Sequence, residues 1–329
     1  MSGTDFKVKP EIKAVIDVGT NSVKFHLAEK VEGVARVLKD AQKVTRLGEG
    51  FRFGETDCSI APGPMERSAA AVAAFAEEAR RSGASEIVAV GTMALRQAKN
   101  ASAFIDRVKR EAGIGLKVIS GDEEARLCYV AVVSGVEIGN GDFVVFDTGG
   151  GSTEFIYGGG GAMRRSVSIP VGAVLLTERF FRDDPVAAGS VSGAEAFVKE
   201  KLFEGGVGGN PGLLVGVGGA VTTLASVRRM KADGDKMRDR IHGSNLEYAE
   251  VAAQAADYAG KTLAQRGAVA GLLPERADIV LAGACVVKAV METLGTSVLT
   301  VSARGLRHGL MDELMNDRTD RTGAGRNPR

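Results

Sequence analysis

Asp147 closes an apolar run, Phe143 to Phe146, within the stretch GDFVVFDTGGGSTEFIY. Such a run reads as a strand buried on both faces. After one residue come Gly149, Gly150 and Gly151, then Ser152, Thr153 and Glu154. A backbone without Cβ atoms turns tightly and can bring its N–H groups to a phosphate. The hydroxyls add donors, and Asp147 and Glu154 place two carboxylates around the turn. That pair suits a hydrated Mg²⁺ bridging to phosphate oxygens. Taken alone, the stretch also reads as a plain hairpin with a flexible tip, since glycine loops are common.

A second copy strengthens the phosphate reading. Ala14 to Ala28, AVIDVGTNSVKFHLA, superimposes on the first stretch at a shift of 130 positions (147 less 17). Asp17 falls on Asp147, Gly19 on Gly149, Ser22 on Ser152 and Phe25 on Phe155. A repeat this far apart implies two homologous lobes rather than a short-period solenoid. Two such loops facing each other would grip one phosphate chain from both sides.

A third candidate lies between the copies, in SGDEEARLCYVAVV (120–133). Ser120 and Glu123 have capping-box spacing, which makes Glu123 structural. Glu124 is not needed by the cap and sits where the helix dipole favours a charged carboxylate. There it could serve as a base aimed into an interlobe cleft, against the plainer reading of a solvated first-turn glutamate. Further on, Gly218 and Gly219 precede Thr222 and Thr223. They read equally as another anion loop opening a helix or as close glycine–helix packing.

The elements that must hold these loops alternate. Ala35–Val44, Glu86–Val90, Leu116–Ile119, 211–217, Asp278–Leu281 and Val298–Val301 are expected strands. Helices are expected from Pro62 to Gly83, from Asn100 or Ser102 to Gly113, and near Gly172 to Phe181. Others follow: from a Ser244–Glu247 capping box to Gln265, from Gly283 to Leu294, and in GLRHGLMDELM. Strands separated by helices mean parallel pairing and α/β lobes.

With 329 residues, two domains are expected, each able to bury a core. A net charge of +1 gives no global pull toward nucleic acid or membrane, so an anion site must be a local cluster. No apolar run approaches a membrane span, and the first residues lack the apolar core of a signal peptide. Cys58, Cys128 and Cys285 are isolated, which suits a reducing, cytoplasmic setting. His26, His242 and His308 are scattered and argue against a histidine metal centre. The basic segment 228–242 reads first as a solvated helix face or loop and second as the mouth of a polyanion site, and the tail 318–329 as frayed.

In this order and spacing, AVIDVGTNSVKFHLAE, GTMALRQAKN, VISGDEEARLCYVAV, FDTGGGSTEF, GVGGAVTTLA and ERADIVLAGACVV resemble the exopolyphosphatase/guanosine-pentaphosphate phosphatase family. That family belongs to the actin–hexokinase–heat-shock ATPase superfamily, and the resemblance covers most of the chain. It implies an α/β fold of two ribonuclease-H-like (actin-like) lobes, with mixed sheets flanked by helices and the active site in the cleft. The expected division is 1–135 and 136–304, with helix 305–317 packing back on the first lobe.

Carried over by motif, Glu124 would position or activate the attacking water. Asp147 and Glu154 would hold Mg²⁺, or Mn²⁺ in its place, with Asp17 nearby. Thr20, Asn21, Ser22, Arg96 and the backbone of Gly149, Gly150, Gly151 and Ser152 would hold phosphates, with Gly218 and Gly219 as the third loop. The implied substrate is inorganic polyphosphate, or alternatively guanosine pentaphosphate; any monovalent cation dependence is open, and a homodimer is compatible. Longer relatives append a helical module of HD type, for which no adjacent His-Asp pair exists here, so the short two-domain form is expected. A sugar kinase, an actin-like nucleotide switch and a polyphosphate-binding module remain the competing readings.

Overall fold

The computed structural model describes residues 11–32, 34–51, 58–233 and 241–316, with 231–233 as backbone only. The tail 318–329 and residues 234–240 of the basic segment lie outside them.

The first lobe opens with an antiparallel meander, β1 (Glu11–Val18), β2 (Ser22–Val31) and β3 (Val34–Val44). Helix α1 (Pro62–Arg81) starts on a proline, whose fixed φ suits a first turn. It leads to β4 (Glu86–Gly91), α2 (Met93–Gln97), α3 (Ala101–Ala112), β5 (Leu116–Val118) and α4 (Gly121–Val133). β4 lies parallel to β1, and β5 parallel to β4, giving the order β3-β2-β1-β4-β5. Asn100 precedes α3 but does not cap it with its side chain; it pins Ile60 through both N–H and C=O at 2.9 Å.

The second lobe repeats this with β6 (Phe143–Thr148), β7 (Thr153–Gly159) and β8 (Ala162–Ile169). Then come α5 (Ala173–Phe180), α6 (Ser190–Glu204), β9 (Leu213–Val217), α7 (Gly219–Asp233), β10 (Asn245–Glu247), α8 (Tyr248–Ala259) and α9 (Leu263–Gly267). A 3₁₀ turn at Pro274–Arg276 precedes α10 (Val280–Thr293), β11 (Val298–Val301) and α11 (Leu306–Asn316). The sheet order is β10-β11-β9-β6-β7-β8. Without β10 it matches the first sheet strand for strand, so the sequence repeat is a repeat of topology. Even the register agrees: Asp17 faces Lys24, and Asp147 faces Glu154.

Two expectations fail, each for a physical reason. Asp278–Leu281 is not a strand: from Val280 the chain is already in α10. That helix is buried on nearly every side, and an all-round apolar helix has no period to distinguish it from a buried strand. The helix expected from Ser244 to Gln265 is two helices broken at Gly260. Its first cap is the Glu247–Glu250 box, not Ser244–Glu247, and Thr262 with Gln265 caps the second. Ser244 instead donates to Ile241 O at 2.6 Å. Helix α6 was not expected at all.

The two lobes are joined by their last helices. On α4, Ala125, Cys128 and Val132 pack on Phe143, Val145, Ile156 and Val215 of the second sheet. On α11, Met311 and Met315 pack on Val15 and Ala28 of the first sheet. Lys13 Nζ donates to Leu314 O at 2.6 Å, and Lys30 to Met315 O, so sheet lysines satisfy the carbonyls at the end of α11. The helices touch backbone to backbone: a Cβ on Gly309 would stand 1.9 Å from Leu127 O. Alanine would gain about 1 kcal/mol of helix propensity. It would also force α4 and α11 apart, and overpacking of this kind typically costs about 1–3 kcal/mol. Against a rigid carbonyl the second effect wins, so Gly309→Ala should lower the urea midpoint; an unchanged or raised midpoint would contradict this packing.

Candidate active site

The cleft between the lobes encloses about 880 Å³ of space open to solvent, and the two repeated turns face each other across it. Both are held the same way. Gly19 N–H donates to Ser22 O at 3.0 Å, and Gly149 N–H to Ser152 O at 2.9 Å. The carbonyls at the tips are taken from behind: Thr20 O by Gly48, Asn21 O by Thr45 and Arg46, Gly149 O by Ala173, and Gly150 O by Val174 and Leu175. The N–H groups of Thr20, Asn21, Gly150 and Gly151 have no acceptor among the described residues. Peptide units with occupied carbonyls and free N–H groups beside a cleft form an anion cradle. Gly172 permits it, because a Cβ there would lie 2.4 Å from the Gly150 carbonyl carbon.

Four carboxylates, Asp17, Glu124, Asp147 and Glu154, line the same cleft. β1 and β6 supply the aspartates, β7 supplies Glu154, and the first turn of α4 supplies Glu124. Burial raises the pKa of Glu124 well above the usual carboxylate range, and the charges of Glu154 and Asp17 push the same way. Arg96 opposes them, with Nη1 at 2.8 Å from Glu124 Oε2. Burial, then the neighbouring Asp147, pushes Glu154 up to about 7 despite a 2.8 Å hydrogen bond from Ser168 Oγ. Asp147 is also raised by burial, although Lys24 pulls it down. Lys24 lies 3.4 Å from Asp17 Oδ2, while the buried Asp17 Oδ1 has no hydrogen-bond partner. Such an excess of buried negative charge, with one oxygen orphaned, fits a divalent cation.

Asp17, Asp147 and Glu154 do not bring three ligand atoms within 4.8 Å of one another; among the described residues only His26, Asp40 and His308 do that. Mg²⁺ does not require such a cage, since it keeps several waters and binds through one or two carboxylates.

Of the residues singled out from the sequence, Asp17, Thr20, Asn21, Ser22, Glu124, Asp147, Gly149, Gly150, Gly151, Ser152, Glu154 and Gly219 line this cleft. Arg96 does not. Its Nη1 donates to Glu124 Oε2 and, at 3.0 Å, to Ile119 O, so it holds the acid in place. Gly218 has φ of +97°, and a Cβ there would sit 2.4 Å from Thr148 O. Close packing therefore requires a glycine here, at the edge of a second cavity. Ser120 caps α4 by accepting from Glu123 N–H at 3.1 Å, but the Glu123 side chain bonds Lys117 at 2.8 Å instead of reaching back. Half of the expected capping box is present.

Lys24 and Arg276 also line the cleft and were not singled out. The repeat held a signal for the first: Lys24 occupies the position of Glu154, so one hairpin pairs its aspartate with an ammonium and the other with a carboxylate. Arg276 stood inside ERADIVLAGACVV with no periodicity to mark it.

The histidines are not all scattered. His26 and His308 meet with ring centroids 4.6 Å apart, and both contact Asp40 Oδ2, at 3.2 and 2.7 Å. Burial would raise the Asp40 pKa, but hydrogen bonds from both histidines and the charge of Arg307 hold it well below the usual range. His308 Nδ1 accepts the Gly305 N–H at 3.1 Å, which puts the ring proton on Nε2, facing Asp40. A metal ligand needs the reverse tautomer, with the far nitrogen donating. The cluster is a hydrogen-bonded anchor for Asp40.

Two lobes of repeated topology, with paired glycine turns facing across an acid-lined cleft, define an actin-like phosphate-handling protein. The Ppx/GppA phosphatase family model matches residues 26–318, and the chain belongs to that family. It is 33% identical over 314 residues to a Mycobacterium tuberculosis protein named exopolyphosphatase 2, covering 90% of this chain and 96% of that one. It is 30% identical over 310 residues to a Vibrio parahaemolyticus guanosine-5'-triphosphate,3'-diphosphate pyrophosphatase, covering 92% of this chain but 59% of the relative. Among solved structures, an exopolyphosphatase from Cytophaga hutchinsonii superimposes with a TM-score of 0.84 at 26% identity, over 93% of this chain and 98% of that one. An Aquifex aeolicus family member gives 0.76 at 29%, over 94% and 100%. The protein is thus an enzyme, a hydrolase with the two-lobed actin-like fold.

Proposed function

We propose that the protein is a Mg²⁺-dependent exopolyphosphatase, releasing orthophosphate from the end of inorganic polyphosphate. The observation that carries this is the pair of amide cradles facing each other beside four carboxylates. Phosphoryl transfer to water needs positioning and charge neutralisation more than covalent chemistry. The free N–H groups of Thr20, Asn21, Gly150 and Gly151 bind the terminal phosphates and stabilise their charge. Asp147 and Glu154, with Asp17, would hold Mg²⁺, which supplies charge neutralisation at the phosphate oxygens. Glu124 orients the attacking water and takes its proton onto a carboxylate oxygen. Its raised pKa suits a base working near neutral pH, and the Arg96 contact fixes its rotamer.

The relative named as an exopolyphosphatase, matched along nearly its whole length, supports this substrate. The relatives named for guanosine 5'-triphosphate 3'-diphosphate support a second reading, in which the same machinery removes the terminal phosphate of that nucleotide. Malachite-green release from polyphosphate and from guanosine pentaphosphate, with and without Mg²⁺, tests both. The expected result is a higher kcat/KM on polyphosphate and none without a divalent cation. Release from neither substrate would defeat the proposal.

A further inference from the structure

We propose that Arg307 contacts phosphate groups farther from the chain end than tripolyphosphate reaches, in a second anion subsite shared with Arg276 and Lys24, and that Asp40 is its positioning residue. This rests on the proposed polyphosphate substrate. A second cavity of about 1150 Å³ opens beside the first and shares Lys24, Asp147, Gly219, Thr223 and Arg276 with it. A chain held at the glycine turns therefore has a continuous way into it.

Two features of that cavity point to an anion. Arg276 is only 7% exposed, yet none of its hydrogen-bond partners is a carboxylate. Nη1 donates to Gly219 O at 2.8 Å and Thr223 Oγ1 at 3.3 Å, Nη2 to Gln42 Oε1 at 2.7 Å, and Nε to nothing. A buried guanidinium with no anion hydrogen-bonded to it is costly unless something it binds supplies one. Arg307 is the second feature: it lines the same cavity, and burial and its charge disfavour the charged form of Arg276, opposed by the charge of the neighbouring Glu275. A distal phosphate between these groups would turn that repulsion into attraction.

Arg307 is held for the task. Its Nε and Nη2 both reach Asp40 Oδ1, at 3.1 and 2.8 Å, while His308 and His26 hold the other oxygen. Asp40 is thus gripped from β2 and α11 and aims the guanidinium without occupying it fully.

The test compares tripolyphosphate with long-chain polyphosphate on wild type, Arg307→Gln, Arg307→Lys and Asp40→Asn. Losing one charge-assisted contact should raise the ratio of long-chain to tripolyphosphate KM about tenfold in Arg307→Gln, with kcat little changed. Arg307→Lys should recover part of it. Asp40→Asn should shift the ratio the same way, and the double variant should be no worse than Arg307→Gln alone. An unchanged ratio, or an equal loss of kcat on both substrates, would overturn the subsite. If wild type turned over neither substrate, the functional proposal would fail by itself. Calorimetric binding of long-chain polyphosphate would then decide the subsite: equal Kd for wild type and Arg307→Gln overturns it, and weaker binding by the variant supports it.

Discussion

Glu124→Gln should lose turnover by about a hundredfold to ten-thousandfold, the usual cost of removing a positioned general base. The amide cradles and the acids of β1, β6 and β7 do not depend on it, so KM should change far less than kcat. Glutamine keeps the volume and can still accept from Arg96, now at 2.8 Å from the carboxylate. The variant removes one of four mutually repelling acids, so its melting temperature should hold or rise. The matched control is Glu123→Gln. Glu123 bonds Lys117 outside the cleft, and an ion pair at a half-exposed position contributes about 1 kcal/mol or less. That variant should keep nearly full activity. Steady-state kinetics on both would settle the assignment; an inactive Glu123→Gln beside an active Glu124→Gln would reverse it.

How much of this was legible in the sequence varied with the kind of signal. The two aspartate–glycine hairpins were, because their chemistry is local: strand, turn and hydroxyl follow one another within a dozen residues. Strands and helices with clear alternation or clear stops were placed to within a residue or two, among them β3, β5, α1 and α3. What failed was long-range or aperiodic. The first two turns of α10, Val280–Val287, carry no polar residue, so its start looked like a strand. The Arg96–Glu124 pair was not legible, because no local pattern says that α2 and α4 bring the two side chains together. Arg276 bridges Gln42 and Gly219, which stand 177 positions apart (219 less 42) in the chain. His26 and His308 looked isolated for the same reason, since only the return of α11 onto the first sheet joins them.

Chelation should make the protein's stability fall as pH rises toward neutrality, and Mg²⁺ should reverse that. Glu154 titrates at about 7 in the folded protein, against an ordinary value of 4.5. Between these values the folded state holds a proton that the unfolded chain has released. Stability must therefore decline as pH rises through that window, by on the order of 3 kcal/mol at full extent. Asp147 and Glu124 are raised as well, so the loss belongs to the acid cluster and not to Glu154 alone. A cation held by these carboxylates offsets their repulsion once they are ionised. In EDTA the melting temperature should drop between about pH 5 and pH 7.5, by roughly 5 °C or more for a chain of this size. Saturating Mg²⁺ should restore most of it near pH 8 and little near pH 5, where the acids carry their protons. Glu154→Gln should melt higher than wild type in EDTA near pH 8, because it removes a buried charge that the serine hydrogen bonds and Arg96 only partly offset, and should respond weakly to Mg²⁺. The readout needs no turnover, so it tests the metal site separately from the substrate. A Mg²⁺ response of equal size at both pH values, or one retained in full by Glu154→Gln, would move the cation away from these acids.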